Sequence, residues 1–244
     1  MVVLTSLLLS LLQPAPQPAP AAAAGPKPVI DSAYAAKDFE LTADPNSPQW
    51  AKAPRVLAGR DYFGEEVPGG ATEIRSRWTS DYLYLLYICP YDELNLKPEP
   101  TTTDETPRLW NWDVAEAFIG SDAERITRYK EFQVSPQSEW VDLDIDRDDP
   151  KGQAGMKWNS GYTVKGRIVE TADASGRKYW YGEMKIPFKS IDARPAEKGR
   201  NFRVGLYRIA GKESPGVTRK HYAWSPTGQK NFHVPQAFGT LTLK

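Results

Sequence analysis

Two short runs carry the side chains best suited to chemistry. In VAEAFIG (114–120) and YKEFQVS (129–135) the residue types alternate with period two, and on extended backbone successive side chains point to opposite faces. Ala115, Ala117 and Ile119 then form a core face, leaving Glu116 and Phe118 on the outward one. Phe132 and Val134 likewise point inward, with Tyr129, Glu131 and Gln133 outward. If these strands are neighbours, one face carries two carboxylates and an amide. Two chemistries suit that set. A pair of carboxyl groups about 5 Å apart can hydrolyse a glycosidic bond with retention, and a somewhat wider pair with inversion. Without hydrolysis, an ionised Glu116 can grip vicinal hydroxyls through a charge-assisted bidentate bond that fixes the orientation of a ring.

A pyranose shows C–H groups on its faces and hydroxyls around its rim, so flat apolar rings must accompany such polar groups. The chain has 8 Trp and 12 Tyr to choose from. Trp110 and Trp112 lie between a polar loop and the first run, and each suits either a ligand contact or a cover over the end of the core. Phe232, shortly before the last strand pattern, is open to the same two readings. The other tryptophans, Trp78, Trp140, Trp158, Trp180 and Trp224, read as structural.

Other chemistries lack their signatures. The sequence has no H-E-x-x-H, no G-x-S-x-G and no glycine-rich phosphate loop. His221 and His233 are its only histidines, without recognisable catalytic companions. In VDLDIDRDD, Asp142, Asp144 and Asp146 fall on one face and read as solvated, and a calcium loop of the EF-hand type fails because Arg147 stands where glycine is needed and Gln153 where glutamate is needed. Cys89 lies in the apolar run YLYLLYIC and reads as core rather than as a reactive thiol. With 31 basic and 31 acidic residues there is no net field to gather nucleic acid or an anionic membrane.

These residues need strands to position them, and period-two alternation broken by Gly, Pro, Asn and Asp dominates from Val29 onward. Many short strands with frequent turns predict an all-β fold of two packed antiparallel sheets, a sandwich of jelly-roll or immunoglobulin-like type. The whole of 29–244 is expected to form one domain, a size all-β sandwiches reach. KPEPTTTDETPRL (97–109) is expected as a long surface loop, and GSDAERITRYK as the place for one short helical turn. The opening MVVLTSLLLSLL and the Pro/Ala tract behind it read as an export signal over 1–24, followed by a linker at 25–28. That predicts a secreted or periplasmic protein.

The segment LWNWDVAEAFIGSD resembles the strand entry of family 9 carbohydrate-binding modules, which belong to the DOMON-like β-sandwich superfamily. RSRWTSDYLYLLYI resembles the family's central hairpin, YWYGEMKIPF its penultimate strand, and HYAWSPTGQKNFHVPQAFGTLTL its closing segment. The resemblance implies a non-catalytic module that clamps a terminal sugar, from a polysaccharide such as xylan or cellulose, between two aromatic side chains. Trp110 falls on the first clamp position and Phe232 on the second, where the family commonly has Trp. Glu116 matches the sugar-binding glutamate, Gln133 and Glu131 lie on a strand that supplies further contacts, and Gln229 occupies a position that is usually Asn. The family also implies structural Ca2+ by resemblance alone, and glycoside hydrolases acting in trans as partners. Two alternatives stay open: a hydrolase or lyase built on Glu116 and Glu131, and a haem-binding electron-transfer domain of the same superfamily with ligands drawn from Met156, Met184, His221 and His233.

Overall fold

The computed structural model describes residues 26–149 and 157–244. The leader assigned to 1–24, residue 25 and Met156 lie outside the described residues. The strands are β1 (Val29–Tyr34), β2 (Arg55–Ala58), β3 (Thr72–Trp78), β4 (Tyr82–Tyr91), β5 (Val114–Gly120), β6 (Arg128–Val134), β7 (Trp140–Asp146), β8 (Thr163–Val169), β9 (Lys178–Pro187), β10 (Asn201–Ala210), β11 (Lys220–Ala223) and β12 (Gly239–Leu243). A single turn of α-helix, α1 (Phe188–Ile191), follows β9; it was not foreseen. The helical turn expected after Ile119 does not form, and 121–127 is a loop.

The all-β expectation holds, but the sheets are not two separate antiparallel ones. The strands join in one mixed sheet in the order β7-β6-β5-β10-β12-β1-β3-β4-β9-β8, with β11 beside β10 and β2 beside β3. The link is β1. Val29 to Ser32 pair in parallel with β12, and Ala33 and Tyr34 pair in parallel with β3. One extended segment thus spends its two halves in two ladders and joins them. At the far side Gly166 of β8 meets the turn after β6, where Ser138 Oγ accepts its N–H (2.8 Å) and donates to its carbonyl (3.2 Å). A Cβ on Gly166 would fall 2.5 Å from the Ser135 carbonyl, so only glycine permits this near closure into a barrel.

The main core fills the space between the two halves. It takes Leu83, Leu85, Trp180 and Met184 from one half and Ala115, Ala117, Phe132 and Leu206 from the other. Cys89 belongs to it and burial pushes its thiol up to about 12, which suits an inert core cysteine. A second apolar cluster covers the opposite face of β5, β6, β7 and β10: Val114, Phe118, Tyr129, Val141, Leu143, Tyr207 and Phe238 among others. A third cluster, around Trp50, Tyr84 and Leu86, covers the outer face of β4 and β9. There Glu183 accepts bonds from the Thr42 N–H (2.7 Å), the Ala43 N–H (2.5 Å) and Trp50 Nε1 (2.9 Å), which ties the N-terminal segment to the sheet.

Candidate functional site

Register brings the predicted polar residues together. Tyr207 of β10 pairs with Glu116 of β5, which pairs with Gln133 of β6, which pairs with Val141 of β7. One step along, Gly205, Phe118, Glu131 and Leu143 form the next row. Gln133 Nε2 sits between the two acids and donates to Glu116 Oε1 (2.8 Å) and to Glu131 Oε1 (2.5 Å). The alternation expected for these strands is therefore present, but its outward face is not open to solvent. Glu116 and Glu131 are each 2 % exposed and Gln133 is fully buried. The reason is that β5 to β7 carry apolar residues on both faces. Val114, Phe118, Val141 and Leu143 draw the loops and the C-terminal segment over that side. Asp142, expected on a solvated face, is also fully buried, held by the Ser160 N–H (2.9 Å) and hydroxyl. Asp144 and Asp146 are paired with Lys130 and Arg128.

Burial governs the charges here. It raises the carboxyl of Glu116 well above the usual range, the neighbouring Glu131 raises it further, and the positive Arg219 opposes both. Burial pushes Glu131 up to about 7, against the pull of its bond from Gln133. Several polar atoms in the cluster have no partner: Glu131 Oε2, Gln133 Oε1 and the Tyr207 hydroxyl. His233 stands at its edge, with Nδ1 2.7 Å from the Tyr129 hydroxyl and Nε2 3.9 Å from Glu131 Oε2. Burial, helped by Arg147, holds His233 down at about 4, so it is neutral at pH 7.

The aromatic positions divide. A 3-10 turn, Leu109–Asn111, entered through left-handed Arg108 (φ 60°), presents Trp110, and Trp112 follows; both are partly buried against the second cluster. Arg219 fixes this turn from beneath, donating to the carbonyls of Trp110 (2.7 Å), Trp112 (2.5 Å) and Gly211 (2.9 Å). Phe232 is not an open clamp face. It is 5 % exposed, stacked on Tyr207 at 4.1 Å and 10°, with Tyr62 a further 4.6 Å away. Gln229 is exposed on a turn, where its N–H and carbonyl engage Thr227.

Four residues of this face were not singled out for it: Tyr62, Tyr207, Arg219 and His221. Tyr62 is partly exposed, leans on Phe232 and His221, and lies close enough to Glu116 and Arg219 for both charges to act on its hydroxyl. It arrives from a loop far away in sequence, docked when Arg60 accepts the Ala223 N–H (2.6 Å) and Tyr62 accepts that of Gly228 (2.7 Å). No spacing in the chain announces that contact. Tyr207 was readable only as a member of an apolar strand.

A cavity of about 730 Å³ opens beside this cluster, lined by Tyr129, His233, Ile145, Arg128 and Arg147 among others. None of Trp110, Trp112, Glu116, Glu131, Gln133, Gln229 or Phe232 lines it. Met184 is in the main core while His221 packs against Tyr62 and Phe232 and His233 against Phe118, so Met184 and either histidine do not share a pocket suited to haem. Among the described residues no group of three or more His, Cys, Asp or Glu side chains could hold a metal ion. A calcium ion would find no such side-chain cage among those residues.

A family model described as carbohydrate family 9 binding domain-like matches residues 46–244. No curated protein matches the chain. Among solved structures, one from Bacteroides uniformis ATCC 8492 has a TM-score of 0.62 at 14% identity, covering 88% of this chain and 99% of that one. A carbohydrate binding module family 9 from Caldicellulosiruptor kristjanssonii, solved with cellotriose, has a TM-score of 0.59 at 13% identity, over 88% of this chain and 93% of that one. A carbohydrate binding module family 9 from the same organism, solved with glucose, has a TM-score of 0.58 at 12% identity, over 88% of this chain and 95% of that one. At these identities the structural likeness speaks to the fold.

Proposed function

Since the chain belongs to the carbohydrate family 9 binding domain-like family, we propose that it is a non-catalytic module that binds a terminal sugar on the β5–β6 face, with Trp110 and Tyr62 supplying ring surfaces. The observation that carries this reading is the set of buried, unpartnered oxygens on Glu131, Gln133 and Tyr207, in a cluster where Phe232 stacks on Tyr207 and Tyr62 packs on Phe232. A buried polar atom without a partner costs about 1–3 kcal/mol, and native proteins keep few of them unless something else completes the bonding. Sugar hydroxyls are suited to that task, since each can donate to one oxygen and accept from another group. Phe232 acts under this reading as backing for Tyr62 rather than as the second jaw. The fold relatives solved with cellotriose and glucose support a neutral glycan as the ligand class.

A hydrolase built on Glu116 and Glu131 is less well supported, because the Gln133 amide occupies the interval between them. In a glycosidase that interval must admit the reacting carbon or a water molecule. Long incubation with cello- and xylo-oligosaccharides is expected to release no new reducing ends, and steady release would replace the binding reading. Export, suggested by the apolar opening segment, would put the module where it can meet polysaccharide and serve hydrolases acting in trans.

Calorimetric titration with glucose and cellotriose tests the proposal. The wild-type protein is expected to bind in the μM to mM range, roughly −8 to −4 kcal/mol. Trp110→Ala is expected to lose about 2 kcal/mol, close to thirtyfold, as an aromatic anchor does. Equal binding by both proteins, or none by the wild type, would contradict it.

A further inference from the structure

We infer that the cavity beside β6 and β7 is a second saccharide site, one that takes a sugar carrying a carboxylate. Its volume of about 730 Å³ lies within the roughly 300–1,000 Å³ of small-ligand sites. Two loops supply the charges that matter. The loop 121–127 before β6 brings Arg125, and the turn after β7 brings Arg147. Hydrogen bonds hold these loops together: the Arg147 N–H donates to the Thr127 carbonyl (3.1 Å), and Thr127 Oγ1 to Asp148 Oδ2 (2.5 Å). Lys157 also lines the cavity. Among the described residues the side chains of Arg125, Arg147 and Lys157 have neither an ion pair nor a hydrogen bond.

The other charged and polar groups of the wall are engaged. Asp146 pairs with Arg128 and Asp144 with Lys130, each at 2.6 Å, and Lys130 also sits 4.6 Å over the Trp158 ring. Asp122 accepts the N–H groups of Glu124 (2.8 Å) and Arg125 (3.2 Å), and Asp149 is not free either. The Arg125 charge reaches Asp122 and Asp146 only through the field. Ser121 donates to the Ile191 carbonyl, and the Tyr129 hydroxyl and His233 Nδ1 are bonded to each other. Five basic side chains against four acidic ones leave the described wall with a net positive charge, and what a ligand meets unspent is two guanidinium forks and an ammonium. Arginine keeps its charge at any working pH, and its planar fork fits a carboxylate through two parallel bonds. Trp158, Ile119 and Ile145 supply apolar wall for the C–H faces of a ring. A metal cation is a poorer occupant, since among the described residues no group of three acidic or histidine side chains could hold one. That the carboxylate is carried on a sugar rests on the sugar-binding reading above; that the cavity takes an anion does not.

The test is titration with glucuronate, glucose and acetate at pH 7, followed by heteronuclear NMR at the Trp158 indole and the His233 ring. Glucuronate is expected to bind here in the mM range, and glucose and acetate at least about tenfold more weakly, since one lacks the charge and the other the ring. Arg147 is exposed and has no bond to lose. Arg147→Gln is therefore expected to keep its melting temperature and to bind glucuronate about tenfold more weakly. Raising NaCl should weaken glucuronate binding to the wild type. Trp110→Ala should leave it unchanged, which separates this cavity from the β5–β6 site. Glucose binding as tightly as glucuronate would overturn the preference for an anion, and acetate doing so would overturn the sugar. No binding of glucuronate, full affinity in Arg147→Gln, or shifts confined to Trp110 and Tyr62 would overturn the site itself. None of these results bears on cellotriose at Trp110, which the calorimetric titration decides separately.

Discussion

Glu131 shows how one side chain can couple ligand, proton and stability. Its folded-state carboxyl is held near 7 by burial, against an ordinary value of 4.5. Below 4.5 the acid is protonated whether the chain is folded or not, and its contribution to stability is complete. Between 4.5 and 7 the unfolded chain loses the proton while the folded one keeps it, so stability falls as pH rises through that window. His233, held at about 4 in the folded state, acts in the opposite sense, adding stability as pH rises from about 4 to 6.5. The wild-type profile mixes the two, and a substitution separates them. Glu131→Gln keeps an oxygen for the Gln133 amide but has no proton to lose. Its stability relative to wild type, from urea unfolding at a series of pH values, is expected to grow from pH 4.5 to 7 by on the order of 2 kcal/mol. A difference that does not change with pH would show that Glu131 is not held protonated. The sequence placed Glu116, Glu131 and Gln133 on one side of two strands, because alternation is local and survives folding. It did not show that the same side would be covered, since that depends on Tyr62, Phe232 and His233 arriving from remote loops.

At the scale of elements, arginine holds loop backbone in place around the site. Arg219 gathers the carbonyls of Trp110, Trp112 and Gly211, while Arg203 gathers those of Asp122 and Ile126 at the other end of β5. Arg219→Gln is expected to loosen the turn carrying Trp110 and to weaken cellotriose binding about tenfold, a cost on the order of one charged hydrogen bond. Affinity equal to wild type would mean the turn holds its shape unaided. On the opposite face Glu183 anchors the N-terminal segment through three bonds. Glu183→Ala strands those three donors and is expected to cost about 3 kcal/mol or more in urea unfolding, because a buried network loses its acceptor. Sugar affinity should be unaffected, since Glu183 belongs to the far side of the barrel wall; a parallel loss of binding would contradict that separation. The strands themselves were legible because β-branched and aromatic residues alternate with turn residues. The one-turn helix α1 was not, since four residues of PFKSI carry too short a pattern to distinguish a helical turn from a loop.

For the molecule as a whole, the joint is β1, which links into one mixed sheet the strands that were expected to form two separate antiparallel ones. Antiparallel pairing between sequence neighbours shows in hairpin spacing, as for β3 and β4. The parallel pairing of β1 with β12 closes the chain across more than 200 residues and leaves no local mark. Removing residues 26–34 should expose the edges of β12 and β3 and take away buried Ile30 and Ser32. The truncated protein is expected to lose at least ~3 kcal/mol, since one fully buried Ile side chain alone accounts for most of that, and to associate through the opened edges on size-exclusion chromatography. A monomeric, equally stable product would show that the two halves hold together without their link. The barrel wall so completed presents a buried polar cluster under aromatic cover, where the proposed sugar would dock. A crystal structure with cellotriose tests this most directly. Density is expected for one terminal ring between Trp110 and Tyr62, with its hydroxyls reaching Glu131 and Gln133. Density confined to another place, such as the cavity beside Arg128 and Arg147, with the Glu116–Gln133–Glu131 cluster undisturbed, would contradict it.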